Sequence, residues 1–328
     1  MTPVISFSGG RTSAYLLHLM MQFNKDIPCV FMDTGAEHPN TYQFIRDIYN
    51  KWQPNLTLLR VSINESHGEG STYRRIGIND AKCDYEPWKA MLSKYGHPYV
   101  GGAFCTDRMK TKPFTVFCED YFGKGKYETW LGIRYDEPSR LWGEDLFKSM
   151  KACGVTNEAA SSTFCKAIHL ARSLNADICY TLLQSQFGSM PFIAEGCQER
   201  IAFIMQSNLR YLAELSTFDK QDVLDWWEEQ PFDLDLEEHK GNCVFCIKKS
   251  LQKVALAAKD EPEMANEFWK VLIENDKKPD KVMYRSNSTL QEVIVMFDDS
   301  SRSELASRMR SMRQYDTGSC SESCEAFK

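Results

Sequence analysis

The sequence lacks several features that would assign it to a simple class. Lys and Arg (39) are outnumbered by Asp and Glu (45), so the net charge is −6 and the whole chain lacks the positive field of a general nucleic-acid binder. It has no stretch approaching the roughly 20 apolar residues that span a bilayer, so no membrane partner is expected. Residues 1–7 show no basic leader or cleavage site. We therefore expect a cytoplasmic protein with reduced thiols.

Cysteine is what the sequence has in excess, with 12 among 328 residues. That number is too small for a disulfide-stapled scaffold and large for a chain with reduced thiols. Cysteines in a reducing compartment bind metal, react or fill cores more often than they form disulfides. Cys29, Cys118, Cys165 and Cys179 stand among apolar residues and are predicted to be core residues.

The first third of the chain alternates short apolar segments with helical patterns. Strands are predicted at residues 3–7, 29–32 and 56–61, and helices at 12–22 and 40–49. This order favours the α/β class, with a doubly wound, Rossmann-like parallel sheet. The ligand crevice of such a sheet lies beyond the carboxyl ends of its strands.

The rest of the chain is less regular. Glycines and prolines predict an irregular, lid-like excursion over about residues 64–104, and a helical insertion is predicted at about 141–198. We expect a nucleotide-binding domain over residues 1–250, followed by a helical C-terminal region over 251–328 with a cysteine-containing tail. Further strands are predicted at 127–133 and 210–215, and further helices at 112–121 and 219–229.

The loop between the first strand and the first helix has the composition of a phosphate site. It reads Ser6-Phe7-Ser8-Gly9-Gly10-Arg11-Thr12-Ser13. The glycines let the backbone approach a ligand, and the hydroxyls stand beside the free N–H groups of a helix start. The loop lacks the Lys-Ser/Thr end of a Walker loop and the glycine spacing of a dinucleotide fingerprint. It therefore favours another kind of phosphate loop, the alternative being a turn with an N-cap.

Five motifs, taken in order, resemble the phosphoadenylyl-sulfate (PAPS) reductase family of the adenine nucleotide α-hydrolase superfamily. Ser-Gly-Gly-x-x-Ser resembles the superfamily's pyrophosphate loop, or PP-loop. The other four motifs are Asp33-Thr34-Gly35-Ala36-Glu37-His38-Pro39-Asn40-Thr41, Cys105-Thr106-Asp107-Arg108-Met109-Lys110-Thr111-Lys112-Pro113, Gly132-Ile133-Arg134-Tyr135-Asp136-Glu137-Pro138-Ser139-Arg140 and Asp222-Val223-Leu224-Asp225-Trp226-Trp227. The resemblance runs from residue 4 to about 250, apart from the excursion and the insertion. It implies an adenine nucleotide α-hydrolase-like fold.

The resemblance also implies an adenine nucleotide site along one rim of the sheet. The residues expected to bind the nucleotide are Ser6, Ser8, Gly9, Gly10, Arg11, Thr12, Ser13, Asp33, Thr34, Gly35, Gly132, Arg134 and Arg140. Arg11, Lys110 and Arg134 are predicted to stabilise charge on phosphate oxygens during catalysis. Asp33 is expected to hold Mg²⁺ or a ribose hydroxyl. For each basic residue alone, a solvated surface charge is the alternative.

Cys243-Val244-Phe245-Cys246 is the most specific cysteine pattern. Alone, it fits a redox pair, half of a zinc site or part of an iron–sulfur site. The resemblance to iron–sulfur reductases points to a [4Fe–4S] cluster with Cys105, Cys243 and Cys246 as ligands. The fourth iron is either open or closed by one of three further cysteines, which are Cys197, Cys320 and Cys324.

Three functions follow from the resemblance. The first is cleavage of ATP between its α and β phosphates to adenylate an acceptor. Sulfur from a donor protein then passes through the cluster to tRNA, DNA or a small molecule, as in similar sulfurtransferases and DNA phosphorothioation proteins. The second is thioredoxin-dependent reduction of adenylyl sulfate or its 3′-phosphorylated form, with Cys320 or Cys324 as nucleophile. The third is a non-catalytic nucleotide- or protein-binding module with a partner surface on the insertion.

Overall fold

The computed structural model describes residues 1–64, 66, 68–99, 102–173, 176–275 and 282–312. Within these residues the chain forms a six-stranded sheet with helices on both faces. The strands are β1 (Thr2–Phe7), β2 (Cys29–Asp33), β3 (Leu56–Ile63), β4 (Ser71–Ile76), β5 (Tyr127–Leu131) and β6 (Leu209–Tyr211). Their order in the sheet is β4-β3-β2-β1-β5-β6, and every neighbouring pair except β3 and β4 is parallel. The predicted α/β doubly wound class is confirmed.

The central strands are apolar on both sides because both faces of the sheet are covered. In β1, Ile5 packs with helices α1 (Arg11–Phe23) and α2 (Pro39–Trp52). Its neighbour Val4 packs on the opposite face with α5 (Lys112–Phe122). Successive strand residues point to opposite faces, so a doubly covered strand reads as a continuous apolar run. These strands are therefore recognised in the sequence as short apolar runs, with no alternation of polar and apolar residues.

The chain changes direction across the sheet at β1. This strand pairs with β2 on one side and with β5 on the other. The crevice of a doubly wound sheet opens at such a switch point, outside the carboxyl ends of the strands. Ser8 follows β1 and Gly132 follows β5, so both begin loops at this crevice.

The excursion predicted to be irregular contains regular elements. Strand β4 pairs antiparallel with β3 at the edge of the sheet, and α3 (Glu86–Tyr95) buries Trp88 and Met91. The prediction failed here because β4 carries exposed charges, including Arg74 and Arg75, which are typical of an edge strand rather than of an apolar core strand.

A helical segment with an unusual turn precedes the fifth strand. It starts with the three-residue α4 (Phe104–Thr106), passes through a π-helical turn (Asp107–Thr111) and continues as α5. A π turn inserts a residue into the helical repeat, and such turns occur frequently at functional sites. Lys110 lies in this turn, and Cys105 lies two residues before its start.

The predicted helical insertion is confirmed and has a core of its own. Its helices are α6 (Pro138–Trp142), α7 (Glu144–Ala152), α8 (Asn157–Ser173), α9 (Ala176–Phe187) and α10 (Pro191–Gln206). Trp142 and Phe164 meet edge to face at 5.1 Å in this core. The strand predicted after the insertion is shorter than expected, because a 3₁₀ turn (Leu212–Glu214) follows β6.

The C-terminal region is helical, as predicted. It comprises α12 (Leu251–Asp260), α13 (Pro262–Glu274), α14 (Leu290–Met296) and α15 (Arg302–Met312), and α11 (Lys220–Glu228) precedes it where a helix was predicted at 219–229. Residues of α12 to α15 share one apolar core with α3 and with residues 243–247. The division into domains at residue 250 stays a prediction. Among the described helices, none combines the length and apolar character needed to cross a membrane.

Candidate functional site: a phosphate loop beside a cysteine pocket

The phosphate loop, residues 8–13, is closed by its own polar groups. The Ser8 N–H donates to Ser13 Oγ at 3.2 Å, the two serine Oγ atoms lie 2.9 Å apart, and the Ser13 hydroxyl donates to the Gly10 carbonyl at 3.0 Å. Helix α1 begins at Arg11 without a side-chain cap. Its first N–H groups therefore point out of the helix start with no capping side chain, which is the arrangement that binds phosphate.

Two glycines are required by close approaches around this loop. Gly9 has a φ of +79°, and a Cβ there would lie 3.0 Å from Thr41 Cγ2. Gly132 has no unusual φ, but its Cβ would lie 3.1 Å from both Cα and N of Ser13. The end of β5 is therefore packed directly against the start of α1, and a larger residue at 132 would push the two apart.

Glu137 organises the motif after β5. It is fully buried, accepts the Arg134 backbone N–H at 2.7 Å and pairs with Arg140 Nη1 at 2.9 Å. Burial alone would raise the pKa of Glu137, but the positive charges of Arg140 and Arg134 outweigh it and hold this pKa below its ordinary value. Arg140 Nε is buried and has no hydrogen-bond partner in the described chain. Arg140 therefore has one guanidinium donor that the described residues leave unpaired.

Arg134 connects this motif to the phosphate loop. Its Nε lies 2.7 Å from Asp136 Oδ1, and its Nη1 donates to Thr12 Oγ1 at 3.3 Å. The structure thus brings together Thr12 and Arg134, which the sequence predicts to share one rim. Asp136 holds the guanidinium in place, a partner that the sequence reasoning did not assign.

Arg11 is directed elsewhere. Its Nε and Nη2 form a bidentate pair with Asp233 at 2.7 and 2.8 Å, and Nη2 also donates to the Leu234 carbonyl. Both partners follow α11. The catalytic role predicted for Arg11 stays a prediction, and in this structure its side chain ties α1 to the C-terminal half.

Asp33 is enclosed rather than open to a ligand. Its Oδ1 accepts from Tyr42 OH and from the Gly35 N–H at 2.8 Å each, and its Oδ2 accepts from Arg60 Nε and Nη2 at 2.9 and 2.5 Å. Burial, reinforced by the Glu37 charge and opposed by Arg60, raises the pKa of Asp33 to about 6. Both oxygens are occupied, so Asp33 does not fit the predicted Mg²⁺ ligand. Nucleotide contact through Asp33 stays a prediction.

The end of β2 also meets the cysteine loop. Thr34 Oγ1 donates to both oxygens of the buried Glu37, at 2.8 and 2.9 Å, and lies 3.4 Å from Cys243 Sγ. Glu37 and Cys243 form an isolated antiparallel bridge, and the Val244 N–H donates to the Ala36 carbonyl at 3.0 Å. We call the phosphate loop and the segments that follow β2 and β5 the phosphate rim, and residues 243–246 the cysteine loop. Backbone and side-chain contacts therefore join the phosphate rim to the cysteine loop.

The three predicted cluster ligands line one cavity, called here the cysteine pocket. Its lining residues are Thr34, Trp88, Cys105, Thr106, Met109, Lys110, Cys243, Cys246 and Ile247. The structure thus brings together cysteines that are 138 residues apart in sequence (243 − 105). Apart from Lys110 and two threonines, the other side chains are apolar or aromatic.

Cys197 and the predicted core cysteines do not line this pocket, whereas Cys83 packs against the same apolar core as the pocket thiols. Cys197 lies in α10 within the insertion core, and burial raises its pKa to about 12. The prediction that Cys197 could be the fourth cluster ligand is therefore wrong. Cys29, Cys118 and Cys179 are buried as predicted, and half-buried Cys165 bonds to a carbonyl. Cys320 and Cys324 lie outside the described residues.

The donor set of the pocket fits an iron–sulfur cluster. Cysteine thiolates are the usual ligands of [4Fe–4S] clusters, and three thiols share this cavity. Two buried donors at the same cavity, Trp88 Nε1 and Thr106 Oγ1, have no hydrogen-bond partner in the described residues. Buried donors are normally paired, so a bound group that carries acceptors would complete them.

Lys110 belongs to two adjacent cavities. One is the cysteine pocket, and the other is lined by Ser6, Phe7, Ser8, Met32, Lys110, Phe114 and Asn242. Its Nζ lies 3.5 Å from Glu37 Oε1. The phosphate loop and the thiols are therefore separated by little more than one lysine side chain, which supports the predicted proximity of these motifs.

Sequence reasoning missed several residues that build the site. For Arg60, the signal was available, because it is the single charged residue of the mainly apolar strand β3. Glu137 stood inside a recognised motif without an assigned role. Glu37 and Thr106 likewise stood inside quoted motifs without an assigned role. For Trp88, only the tertiary contacts reveal its place at the site.

Comparisons with known proteins agree with this architecture. Residues 2–152 match the family model "Phosphoadenosine phosphosulfate reductase domain". Residues 2–152 of the chain therefore form a region of the phosphoadenosine phosphosulfate reductase domain family. The match includes the phosphate loop and the Cys105 segment but ends before Cys243.

One relative is similar over the whole chain. It is the "Uncharacterized nin region protein ORF290" of Escherichia phage lambda, 40% identical over 339 aligned residues that cover 100% of this chain and 96% of that protein. Phosphoadenosine 5′-phosphosulfate reductases match a short segment only. That of Buchnera aphidicola is 41% identical over 68 residues, which are 21% of this chain and 28% of the reductase. That of Alteromonas mediterranea is 38% identical over 68 residues, 21% and 27% of the respective chains.

Proposed function

We propose that this protein is a cytoplasmic enzyme with a [4Fe–4S] cluster that uses ATP to transfer sulfur to a nucleic-acid or small-molecule acceptor. ATP would be cleaved between its α and β phosphates, so that the acceptor takes the adenylyl group and pyrophosphate leaves. Sulfide-level sulfur from a donor protein would then attack the activated acceptor and displace AMP. The observation that carries this proposal is the position of Lys110, which lines both the cavity at Ser8 and the cysteine pocket. A nucleotide on the phosphate loop and a sulfur group on the thiols would be neighbours.

The rim residues have geometry suited to phosphate chemistry. The uncapped start of α1 offers backbone N–H groups, and Arg140 Nε is a buried donor without a partner in the described chain. Arg134 is fixed beside Thr12 by Asp136. Such donors stabilise the charge that develops on phosphate oxygens, because they need no reorganisation during the reaction. Lys110 would add a point charge on the side of the thiols.

The cysteine pocket would hold the cluster through Cys105, Cys243 and Cys246. When bound, a cluster with three cysteine ligands supplies an iron at which sulfur can be held for transfer. Trp88, Met109 and Ile247 form an apolar wall around the thiols and would limit the access of water. Mg²⁺ is given no ligand in this proposal, because Asp33 is already saturated with donors.

A second candidate is reduction of a sulfonucleotide, with thioredoxin as electron donor. The family match over residues 2–152 and the similarity to named reductases favour it. In that reaction two electrons from thioredoxin would release sulfite and leave the nucleoside phosphate. The two candidates share the nucleotide site and differ in the bond that is broken.

One experiment separates the candidates. The protein is purified without oxygen, and its iron, acid-labile sulfide and absorbance near 400 nm are measured. It is then incubated with ATP and acceptor candidates, or with adenylyl sulfate or its 3′-phosphorylated form and reduced thioredoxin. Pyrophosphate release supports the first candidate, and sulfite release supports the second. Absence of iron contradicts the cluster, and nucleotide binding without turnover on any substrate indicates a binding module.

A further inference from the structure

Two residues that line the cysteine pocket, Trp88 and Thr106, each carry a buried donor with no partner among the described residues. Trp88 is 3% exposed and Thr106 is 7% exposed. Trp88 Nε1 and Thr106 Oγ1 have no acceptor among the described residues, although both side chains line the pocket. They come from different elements, α3 and α4. Two residues from different elements therefore share the same cavity and the same lack of a protein acceptor.

Leaving these two donors unpaired lowers the free energy of unfolding. A buried N–H or O–H group without an acceptor destabilises the folded state, and native proteins nearly always pair such groups. The rest of the wall provides little compensation, because Met109 and Ile247 are apolar and the Thr34 hydroxyl already donates to Glu37. Two kinds of acceptor could pair these donors. One is a buried water, which needs at least two polar partners, and the other is a bound group whose sulfur atoms accept hydrogen bonds.

We propose that Trp88 Nε1–H and Thr106 Oγ1–H donate hydrogen bonds to sulfur atoms of the iron–sulfur group held by Cys105, Cys243 and Cys246. This inference rests on the proposed function. Trp88 and Thr106 are positioning residues here, since they act on the reaction through the group. Hydrogen bonds to cluster sulfur stabilise its more negative, reduced form and so raise the reduction potential.

The proposal is tested with Trp88→Phe and Thr106→Val, which remove each donor and keep most of the side chain. The readout is the midpoint potential of the cluster by spectroelectrochemistry, with iron content measured on the same samples. Each change is expected to lower the equilibrium constant for one-electron reduction about tenfold, which corresponds to about 59 mV. Unchanged potentials at unchanged iron content would overturn the proposal and favour a pocket water as the acceptor.

Matched controls come from the helical insertion. Trp142→Phe removes a buried indole that donates to the Ala160 carbonyl at 2.8 Å, and Thr163→Val removes a buried hydroxyl in α8. Both control variants should leave the equilibrium constant for one-electron reduction of the cluster within threefold of the wild-type value. Absence of iron from the wild-type protein would be a failure of the proposed function, distinct from an unchanged potential in an iron-loaded variant.

A measurement on the wild-type protein covers the case in which the variants fold poorly. Protein containing [indole-¹⁵N]tryptophan is reduced, and the ¹⁵N hyperfine coupling of the paramagnetic cluster is recorded. A resolved coupling, together with an exchangeable proton coupling lost in D₂O, supports donation by an indole. Absence of any ¹⁵N coupling overturns the assignment of Trp88.

Discussion

The phosphate rim and the cysteine pocket are adjacent, but they differ in how far their polar groups are hydrogen-bonded within the protein. On the rim, Glu137 accepts from Arg134 and Arg140, and Arg134 also bonds to Asp136 and Thr12. In the pocket, the wall is mainly apolar, and Trp88 Nε1 and Thr106 Oγ1 have no acceptor in the described chain. On the rim, Arg140 Nε is the buried donor without a partner in the described chain. The rim is thus mostly paired within the protein, whereas both of these pocket donors are left without a protein acceptor.

This difference indicates separate roles for the two regions. In the proposed function, a prepaired rim would bind and release the nucleotide with little rearrangement, because most of its charges already have fixed partners. A pocket with unpaired donors and clustered thiols is suited to a group that stays bound. The Thr34, Glu37 and Cys243 contacts connect the two regions, so occupancy of one is positioned to affect the other.

The largest expected effect is on the pocket. Cys243→Ser should reduce iron in anaerobically purified protein to less than a third of the wild-type content, because a hydroxyl is a far poorer iron ligand than a thiolate. Iron and acid-labile sulfide analysis measures it. Cys153→Ser, at an exposed position in the insertion, is the control and should retain full iron. Equal iron in both variants would contradict the assigned ligand set.

A second prediction tests the preorganised rim. Gly132→Ala places a Cβ about 3.1 Å from the Ser13 backbone, where neither backbone can easily move. It should lower the free energy of unfolding by about 2 kcal/mol, measured by urea denaturation. Gly10→Ala is the matched change, because its Cβ would meet only Ser8 Oγ at 3.7 Å, and its effect should be under about 0.5 kcal/mol. Equal losses would show that the β5 contact is not tight.

Lys110 tests the boundary between the two regions. Lys110→Met should weaken nucleotide binding about tenfold, because it removes a positive charge from the cavity at the phosphate loop. Isothermal titration calorimetry measures it, at two salt concentrations to show the electrostatic origin. Lys112→Met removes an exposed lysine two residues away and should change the affinity less than threefold. Equal affinities for the two variants would place Lys110 outside the nucleotide site.

The smallest expected effect is a change in the pH dependence of stability. The pKa of Glu137 is lowered in the folded state, so its contribution is present above its unfolded pKa of about 4.3 and is lost as the pH falls. The pKa of Asp33 is raised to about 6, so its contribution has the opposite sign and declines as the pH rises from about 4 to 6.

Urea denaturation between about pH 3.5 and 7.5 measures both slopes. Glu137→Gln should flatten the loss of stability on the acid side, and Asp33→Asn should remove the decline between about pH 4 and 6. Identical slopes in the wild type and both variants would mean that neither carboxyl titrates differently in the folded and unfolded protein.

The sequence predicted the central sheet well because its signals are local. Strands β1, β2 and β3 are apolar runs, and the loop that follows β1 is rich in glycine and hydroxyls. The same logic failed for β4, whose exposed charges resemble a loop, and for α3, which follows a glycine-rich stretch. The family motifs predicted a shared rim that includes Thr12 and Arg134, which the structure brings into contact. They did not show that Arg11 turns to Asp233 or that Arg60 and Tyr42 saturate Asp33.

The sequence by itself determined the class of fold, the phosphate loop and the three cysteines worth comparing, because spacing and residue type are properties of the chain. Only the tertiary structure decided that Cys105 and Cys243, 138 residues apart, line one cavity with Trp88 and Thr106. It also decided that Cys197 lies in another core. The physical reason is that burial and hydrogen-bond pairing depend on neighbours brought together by packing, and those neighbours leave no local trace in the sequence.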